Sequence, residues 1–201
     1  MMGRRKAAIG VDIGGTKISA GIVGGEGLVY ASPCTIATNP KEPGEVIIAN
    51  LFSLLKNILA DAADYDIQGI GIGCTGPLDI DKGILLDVEN LPTLNYFPLK
   101  DTVEQVFPLR VILDNDANAL IYAEALWGAG RNAGSVLGFT LGTGIGCAWI
   151  NGGKVWRGHS GCAGEVWTSP YKKGYWKTMY PAMPSPVFIK NIQRRSCRLI
   201  V

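Results

Sequence analysis

The sequence predicts an α/β fold: one mixed domain followed by the start of a second, related one. Three observations carry this. Short apolar runs at residues 7–11 and 18–23 flank a glycine-rich turn, Asp12-Ile13-Gly14-Gly15-Thr16-Lys17. Residues 45–64 switch to a helical apolar period. The opening pattern then recurs imperfectly after residue 130, with runs at 135–141 and 145–150 around a second glycine turn.

The elements follow in order. Residues 7–11, 18–23 and 28–36 read as three strands, with Gly24-Gly25-Glu26-Gly27 between the second and third. Pro33 belongs at an edge or an end, because proline cannot donate to a ladder. Connections this short cannot hold a crossover helix, so the three strands form an antiparallel meander. After a loop at 39–44, Val46, Ile47, Leu51, Leu54, Leu55, Ile58 and Leu59 fall largely on one helical stripe. Residues 68–74 form a strand that ends in Thr75-Gly76-Pro77, and Asp81-Lys82-Gly83 marks a hairpin. Residues 90–99 read as loop, 101–107 as a short helix and 109–113 as a strand. The helix at 116–126 is stopped by Gly128 and Gly130. Asn151-Gly152-Gly153 turns the second hairpin toward residues 154–156. No helix follows residues 12–17, which argues against a doubly wound dinucleotide fold.

Composition sets the outer limits. With 47% hydrophobic and 18% charged residues, the 201-residue chain can bury a core and is not of disordered type. The net charge of +2 hides a split. Residues 1–166 hold 12 Lys/Arg against 17 Asp/Glu, a net of −5, whereas residues 167–201 hold 7 Lys/Arg and no acid, a net of +7. The expected organisation is a domain at 1–126, the start of a second at 127–166 and an atypical basic tail at 167–201. No apolar run approaches the roughly 20 residues that span a bilayer. The run after the basic start ends at Asp12, too soon for a secretory signal. No membrane partner is expected. Five cysteines, an odd count without a CxxC pair, fit a reduced cytoplasmic protein.

Four segments carry chemistry. Residues 12–17 lack the Walker spacing, yet adjacent glycines let a backbone approach an anion and aim N–H groups at it. Thr16 adds a hydroxyl and Lys17 a positive charge; Asp12 could orient Mg²⁺, directly or through water. The alternative is a plain hairpin of type I′ or II′ geometry. Leu141-Gly142-Thr143-Gly144-Ile145-Gly146 offers a second phosphate-sized turn. Between the two lies Asp114-Asn115-Asp116, after a strand and at a helix start. Asp116 there can accept a hydroxyl proton during attack on phosphorus, and Asn115 can bond neighbouring hydroxyls. Helix capping accounts for one of these residues, not for the set. The fourth segment, residues 157–165, is glycine-rich and carries His159 and Glu165. Glu165 could hold sugar hydroxyls; His159 either joins it or satisfies local backbone. With Cys162, His159 makes a poor metal site. The combination points to phosphoryl transfer from a nucleotide to a hydroxyl.

On these residues the chain resembles the ROK family of sugar kinases and related repressors, within the hexokinase/actin-like superfamily. DIGGTK at 12–17 and LGTGIG at 141–146 match the two phosphate loops, and ENLPTL at 89–94 resembles the segment that reaches the sugar. LDNDANA at 113–119 matches the catalytic segment, and GHSGCAGE at 158–165 the start of the family signature. The resemblance implies an actin-like/ribonuclease H-like ATPase fold, an N-terminal domain plus an incomplete second domain. It implies Asp116 as general base, and sugar contacts from Gly76, Asn90, Asn115, His159 and Glu165. Phosphate contacts would come from Asp12, Gly14, Gly15, Thr16, Lys17, Gly142, Thr143 and Gly144. The implied activity is ATP- and Mg²⁺-dependent phosphorylation of a hexose, glucose first, with N-acetylmannosamine or N-acetylglucosamine as the alternative. A homodimer is the implied assembly.

The sequence also departs from the family pattern. The family continues AGE-x-GH, but here Val166-Trp167-Thr168 follows Glu165, with Thr168 in the second histidine's place. The cysteine-rich zinc segment and the later helices of the nucleotide domain have no counterpart in residues 167–201, so structural zinc is not expected. Those residues read either as a frameshifted terminus or as a natural basic interaction tail. Aromatic and basic residues interleave there as if to stack on nucleic acid, but no binding fold accompanies them and nucleic acid is not expected as a partner. A ROK-like repressor would need a helix-turn-helix ahead of residue 7, which disfavours that class. A non-catalytic, truncated sugar-binding or regulatory protein is the third class.

Overall fold

The apolar runs around the first glycine turn pair with each other. β1 (Arg5–Ile13) and β2 (Lys17–Gly24) run antiparallel, with Val11 opposite Ala20 and Ile13 opposite Ile18. The computed structural model describes residues 4–141, 144–171, 174–175, 187–193 and 196–200. The chain divides into two compact units, Met1–Asp116 and Ala117–Val201.

In the first unit the meander closes with β3 (Cys34–Ala37), which pairs antiparallel with β2. Helix α1 (Gly44–Ala60) then carries the chain over to β4 (Tyr65–Cys74), which lies parallel to β1. A small hairpin follows, β5 (Leu78–Asp79) with β6 (Ile84–Leu85). Helix α2 (Leu99–Val106) leads to β7 (Val111–Asn115), parallel to β4. The sheet order is β3-β2-β1-β4-β7. Helix α1 buries Ile47, Ile48, Leu51, Leu54, Leu55 and Ile58, a stripe at helical spacing. Val46, expected on that stripe, is exposed, and Ile48 takes the inward position. Ile9, Ile18, Leu51, Leu55 and Ile70 form the fully buried centre.

The third strand is shorter than the apolar run at 28–36 predicts. Leu28 and Val29 are exposed, and only an isolated bridge joins Val29 to Val23. Tyr30 swings its ring over Gly24 and stacks on Tyr65 at 5.0 Å. Pro33, packed on Gly21, has no N–H to offer, so the ladder starts one residue later at Cys34. The expected loop at 90–99 contains a 3₁₀ turn, Pro92–Leu94. Val88, Leu91 and Leu94 bury around it, and Asn95 Oδ1 accepts the Val88 N–H at 2.9 Å.

The second unit takes in most of α3 (Asp116–Leu126), a helix the sequence reading assigned to the first domain. Its Ile121 is fully buried with Val136, Ala148 and Ile150. Strands β8 (Ser135–Leu141), β9 (Ile145–Asn151) and β10 (Lys154–Val155) repeat the antiparallel meander. Gly138 is required by α3, since a Cβ there would come within 2.7 Å of Ile121. A short ribbon follows, β11 (Pro170–Tyr171) with β12 (Gly174–Tyr175). Residues from the expected basic tail form β13 (Val187–Gln193) and β14 (Ser196–Ile200). β13 pairs antiparallel with β8, where the first unit's equivalent neighbour, β4, is parallel to β1. Among the described residues no helix is long and apolar enough to cross a membrane.

Candidate active site

Three parallel strands of the first unit end side by side. Across β1, β4 and β7 the register aligns Asp12, Gly73 and Asp114, and in the next row Ile13, Cys74 and Asn115. Asp116 opens α3 immediately afterwards. The carboxyl ends of parallel strands are where open α/β sheets take ligands. Asp12 is exposed at the surface, yet its carboxyl is raised above its ordinary value, first by partial desolvation and then by the charge of Asp116, with Lys17 pulling the other way. Asp12 and Asp116 therefore share one field. In the next register row Cys74 is fully buried, and burial together with both carboxylates pushes its thiol far up. A thiol held neutral in this way is not a nucleophile.

The sign of the Asp12 shift gives a test. A carboxyl raised in the folded state contributes stability below its unfolded pKa and loses that contribution as pH rises through the folded one. Ionised Asp12 therefore costs stability at neutral pH. The Asp12→Asn variant is expected to melt higher than wild type at pH 7. The gap should narrow as pH falls into the carboxylate range, which thermal melts across pH would show.

The turn after Asp12 is tied down on one side. The Gly14 N–H donates to the Lys17 carbonyl at 3.0 Å, and the Thr38 N–H to the Thr16 carbonyl at 3.0 Å. The Thr38 hydroxyl donates to the Gly14 carbonyl at 2.7 Å. Neither Gly14 nor Gly15 has positive φ, so the turn is not of type I′ or II′. A Cβ on Gly14 would meet only the Lys17 carbonyl, at an ordinary 3.5 Å. The protein itself does not demand glycine there; a group approaching the backbone would. The Gly15 and Thr16 N–H groups have no acceptor among the described residues. This is a donor set suited to an anion such as a nucleotide phosphate.

Gly15 has a different reason to be glycine. Its Cβ would sit 3.0 Å from the Asn90 Cβ and 3.2 Å from the Asn90 carbonyl. Asn90 in turn reaches Thr75, its Nδ2 donating to Thr75 Oγ1 at 3.4 Å. Gly76, the first residue of a cis Gly76-Pro77 bond, stands where a Cβ would lie 3.3 Å from Asn115 Nδ2. The structure thus brings Asp12, Gly15, Asn90, Gly76, Asn115 and Asp116 to one end of the first unit's sheet. Thr75 and Thr38 join them. Neither was singled out by sequence, because a lone threonine after a strand carries no pattern.

The second unit holds the remaining candidates. Gly142 and Thr143 lie outside the described residues, and a Cβ on Gly144 would point into open space. The segment 157–168 folds back on β9. The Ala163 N–H donates to the Arg157 carbonyl at 3.1 Å, and Gly158 and Gly161 supply positive φ of 69° and 82°. Gly164 lies against the Cys147 carbonyl with no room for a Cβ. Glu165 accepts a hydrogen bond from the indole N–H of Trp167, and burial followed by the Glu165 charge raises the Cys147 thiol to about 11. Thr168, where the resemblance expects histidine, donates its hydroxyl to the Glu165 carbonyl at 2.9 Å. His159 is exposed and has no hydrogen-bond or ion-pair partner among the described residues. Trp167 is a site neighbour that sequence reading missed; an indole two residues after the glutamate was its only signal.

Among the described residues no group of three or more His, Cys, Asp or Glu side chains is placed to hold an ion. Asp12 can still serve Mg²⁺, which needs only one or two carboxylates when phosphates and water complete its shell. A model of the ROK family matches residues 8–167.

The chain belongs to the ROK family.

With this membership goes the actin-like α/β fold, whose meander-first units match those described above. The chain is 36% identical over 160 residues to a glucokinase of Halalkalibacterium halodurans, an alignment covering 79% of this chain and 48% of that protein. It is 33% identical over 158 residues to an N-acetyl-D-glucosamine kinase of Vibrio cholerae, covering 78% of this chain and 50% of the other. Among solved structures it is similar to a ROK glucokinase from Streptomyces griseus in complex with glucose and AMPPNP. The TM-score is 0.72 at 35% identity, covering 86% of this chain and 56% of that one. The chain thus spans about half the length of the curated ROK relatives it matches.

Proposed function

We propose that this ROK chain serves the ATP-dependent phosphorylation of a hexose, with glucose the first candidate. The observation that carries the reading is the cluster at the ends of β1, β4 and β7. A donor-lined glycine turn follows Asp12, whose carboxyl feels the charge of Asp116, and Asn115 packs on Gly76. In this reading Asp116 takes the proton of the attacking sugar hydroxyl as that oxygen bonds to the γ-phosphorus and ADP leaves. Asn90, Asn115, Gly76, His159 and Glu165 hold the other hydroxyls. Gly14, Gly15, Thr16 and Lys17 would bind donor phosphates, and the family resemblance assigns the same role to Gly142, Thr143 and Gly144. Asp12 would hold Mg²⁺, which lowers the charge on the phosphates when bound.

The 36% identity to a glucokinase supports glucose, and the 33% identity to an N-acetyl-D-glucosamine kinase supports the N-acetylhexosamine alternative. Calorimetric titration with MgATP and a panel of glucose, N-acetylglucosamine and N-acetylmannosamine separates them. Glucose is expected to bind tightest. A tighter N-acetylhexosamine would move the reading to the alternative, and a folded chain that binds no sugar would remove it.

A further inference from the structure

We infer that Thr38 is a positioning residue for the first phosphate turn, setting the direction of its peptide groups without touching a ligand. The inference rests on the reading that residues 14–17 receive phosphate. Thr38 is the one fully buried polar side chain among the described residues, at 0% exposure. A buried hydroxyl is costly unless bonded, and a valine of similar shape would avoid that cost. The hydroxyl of Thr38 is spent on the Gly14 carbonyl, and its backbone N–H on the Thr16 carbonyl. These two bonds straddle the turn from β3's side.

Peptide planarity turns this into a directional statement. In a trans peptide the N–H points opposite to the carbonyl of the same unit. The carbonyl of Gly14 shares its peptide with the N–H of Gly15. Holding that oxygen toward Thr38 aims the Gly15 N–H away from Thr38, and this is one of the two turn donors with no acceptor among the described residues. Without the hydroxyl, no other described group bonds the Gly14 carbonyl. That peptide would then be free to rotate, and the Gly15 donor would lose its aim. Donors fixed before the ligand arrives bind more tightly than donors that must be ordered on binding.

The test compares Thr38→Val, which keeps the shape and loses the hydroxyl, with Thr38→Ser, which keeps the hydroxyl. The Val variant should bind MgATP about five- to tenfold more weakly, the worth of one hydrogen bond, with glucose affinity within twofold of wild type. The Ser variant should bind MgATP as wild type does. Equal loss of glucose and MgATP affinity in the Val variant, or a Ser variant as weak as Val, would overturn the inference. A second readout is independent of nucleotide: the Gly15 amide resonance should move in Thr38→Val and return in Thr38→Ser. An unmoved Gly15 amide also overturns it. If wild type binds no MgATP, the phosphate reading fails and the Gly15 amide alone decides the role of Thr38. Should the Val variant not fold, Thr38→Cys, of similar size and a weak donor, replaces it.

Discussion

Asp116→Asn is expected to lower kcat for sugar phosphorylation by about 10²- to 10⁴-fold, the span that a general base contributes. Asn keeps the size of the side chain and one of its oxygens, so the start of α3 is retained. It cannot accept the proton of an attacking hydroxyl. The substitution also removes a charge that helps to raise the Asp12 carboxyl, which relieves repulsion between the two at neutral pH. Sugar and MgATP affinities should change by only a few-fold, because the loss falls on the transition state. The measurement is steady-state turnover beside calorimetric binding on the same preparation. Turnover within a factor of two of wild type would remove Asp116 from the chemistry.

Gly164→Ala is expected to have the largest structural effect at the site. The added methyl would run into the carbonyl of Cys147, a backbone atom of β9, which is paired with β8 at this residue. A backbone carbonyl of a paired strand cannot step aside as a flexible side chain does. The segment around Glu165 must therefore lift from β9, taking with it the Trp167 indole bond that fixes the glutamate. Overpacking of this kind costs about 1–3 kcal/mol, which is about 2–12 °C in melting temperature for a chain of this size. Sugar affinity should fall along with it. Thermal melts and a glucose titration check both, and a variant indistinguishable from wild type in both would mean that Glu165 does not depend on this contact.

Much of the fold is legible because glycine punctuation and apolar period agree. The helix at 116–126 and the strand at 135–141 have the boundaries that the sequence reading gives. The third strand is legible only in part: the apolar run includes Leu28 and Val29, which are exposed, while Pro33, which the sequence places at an edge or an end, marks where the pairing starts. Beyond the charge switch after residue 166, Val187, Phe188, Ile189 and Ile192 are residue types that favour extended structure, and they lie in β13.

The site is legible where chemistry concentrates in one stretch, as in Asp12 to Lys17 and Asp114 to Asp116. It is not legible where geometry alone brings residues together. Gly15 meets Asn90 only because Leu91 and Leu94 anchor the intervening loop, and Thr38 matters only because β3 ends beside the turn. Trp167 is brought to Glu165 by the bond from its indole. None of these three contacts leaves a periodicity or spacing to read.

The proposed transfer of a phosphoryl group from ATP to a sugar at this cluster can be measured directly. A coupled assay for ADP release by the purified chain, with MgATP and with or without glucose, tests it most directly. ADP release is expected to depend on glucose and to be lost in Asp116→Asn. A folded chain that binds MgATP and glucose, yet releases no ADP beyond its sugar-free rate, would contradict it.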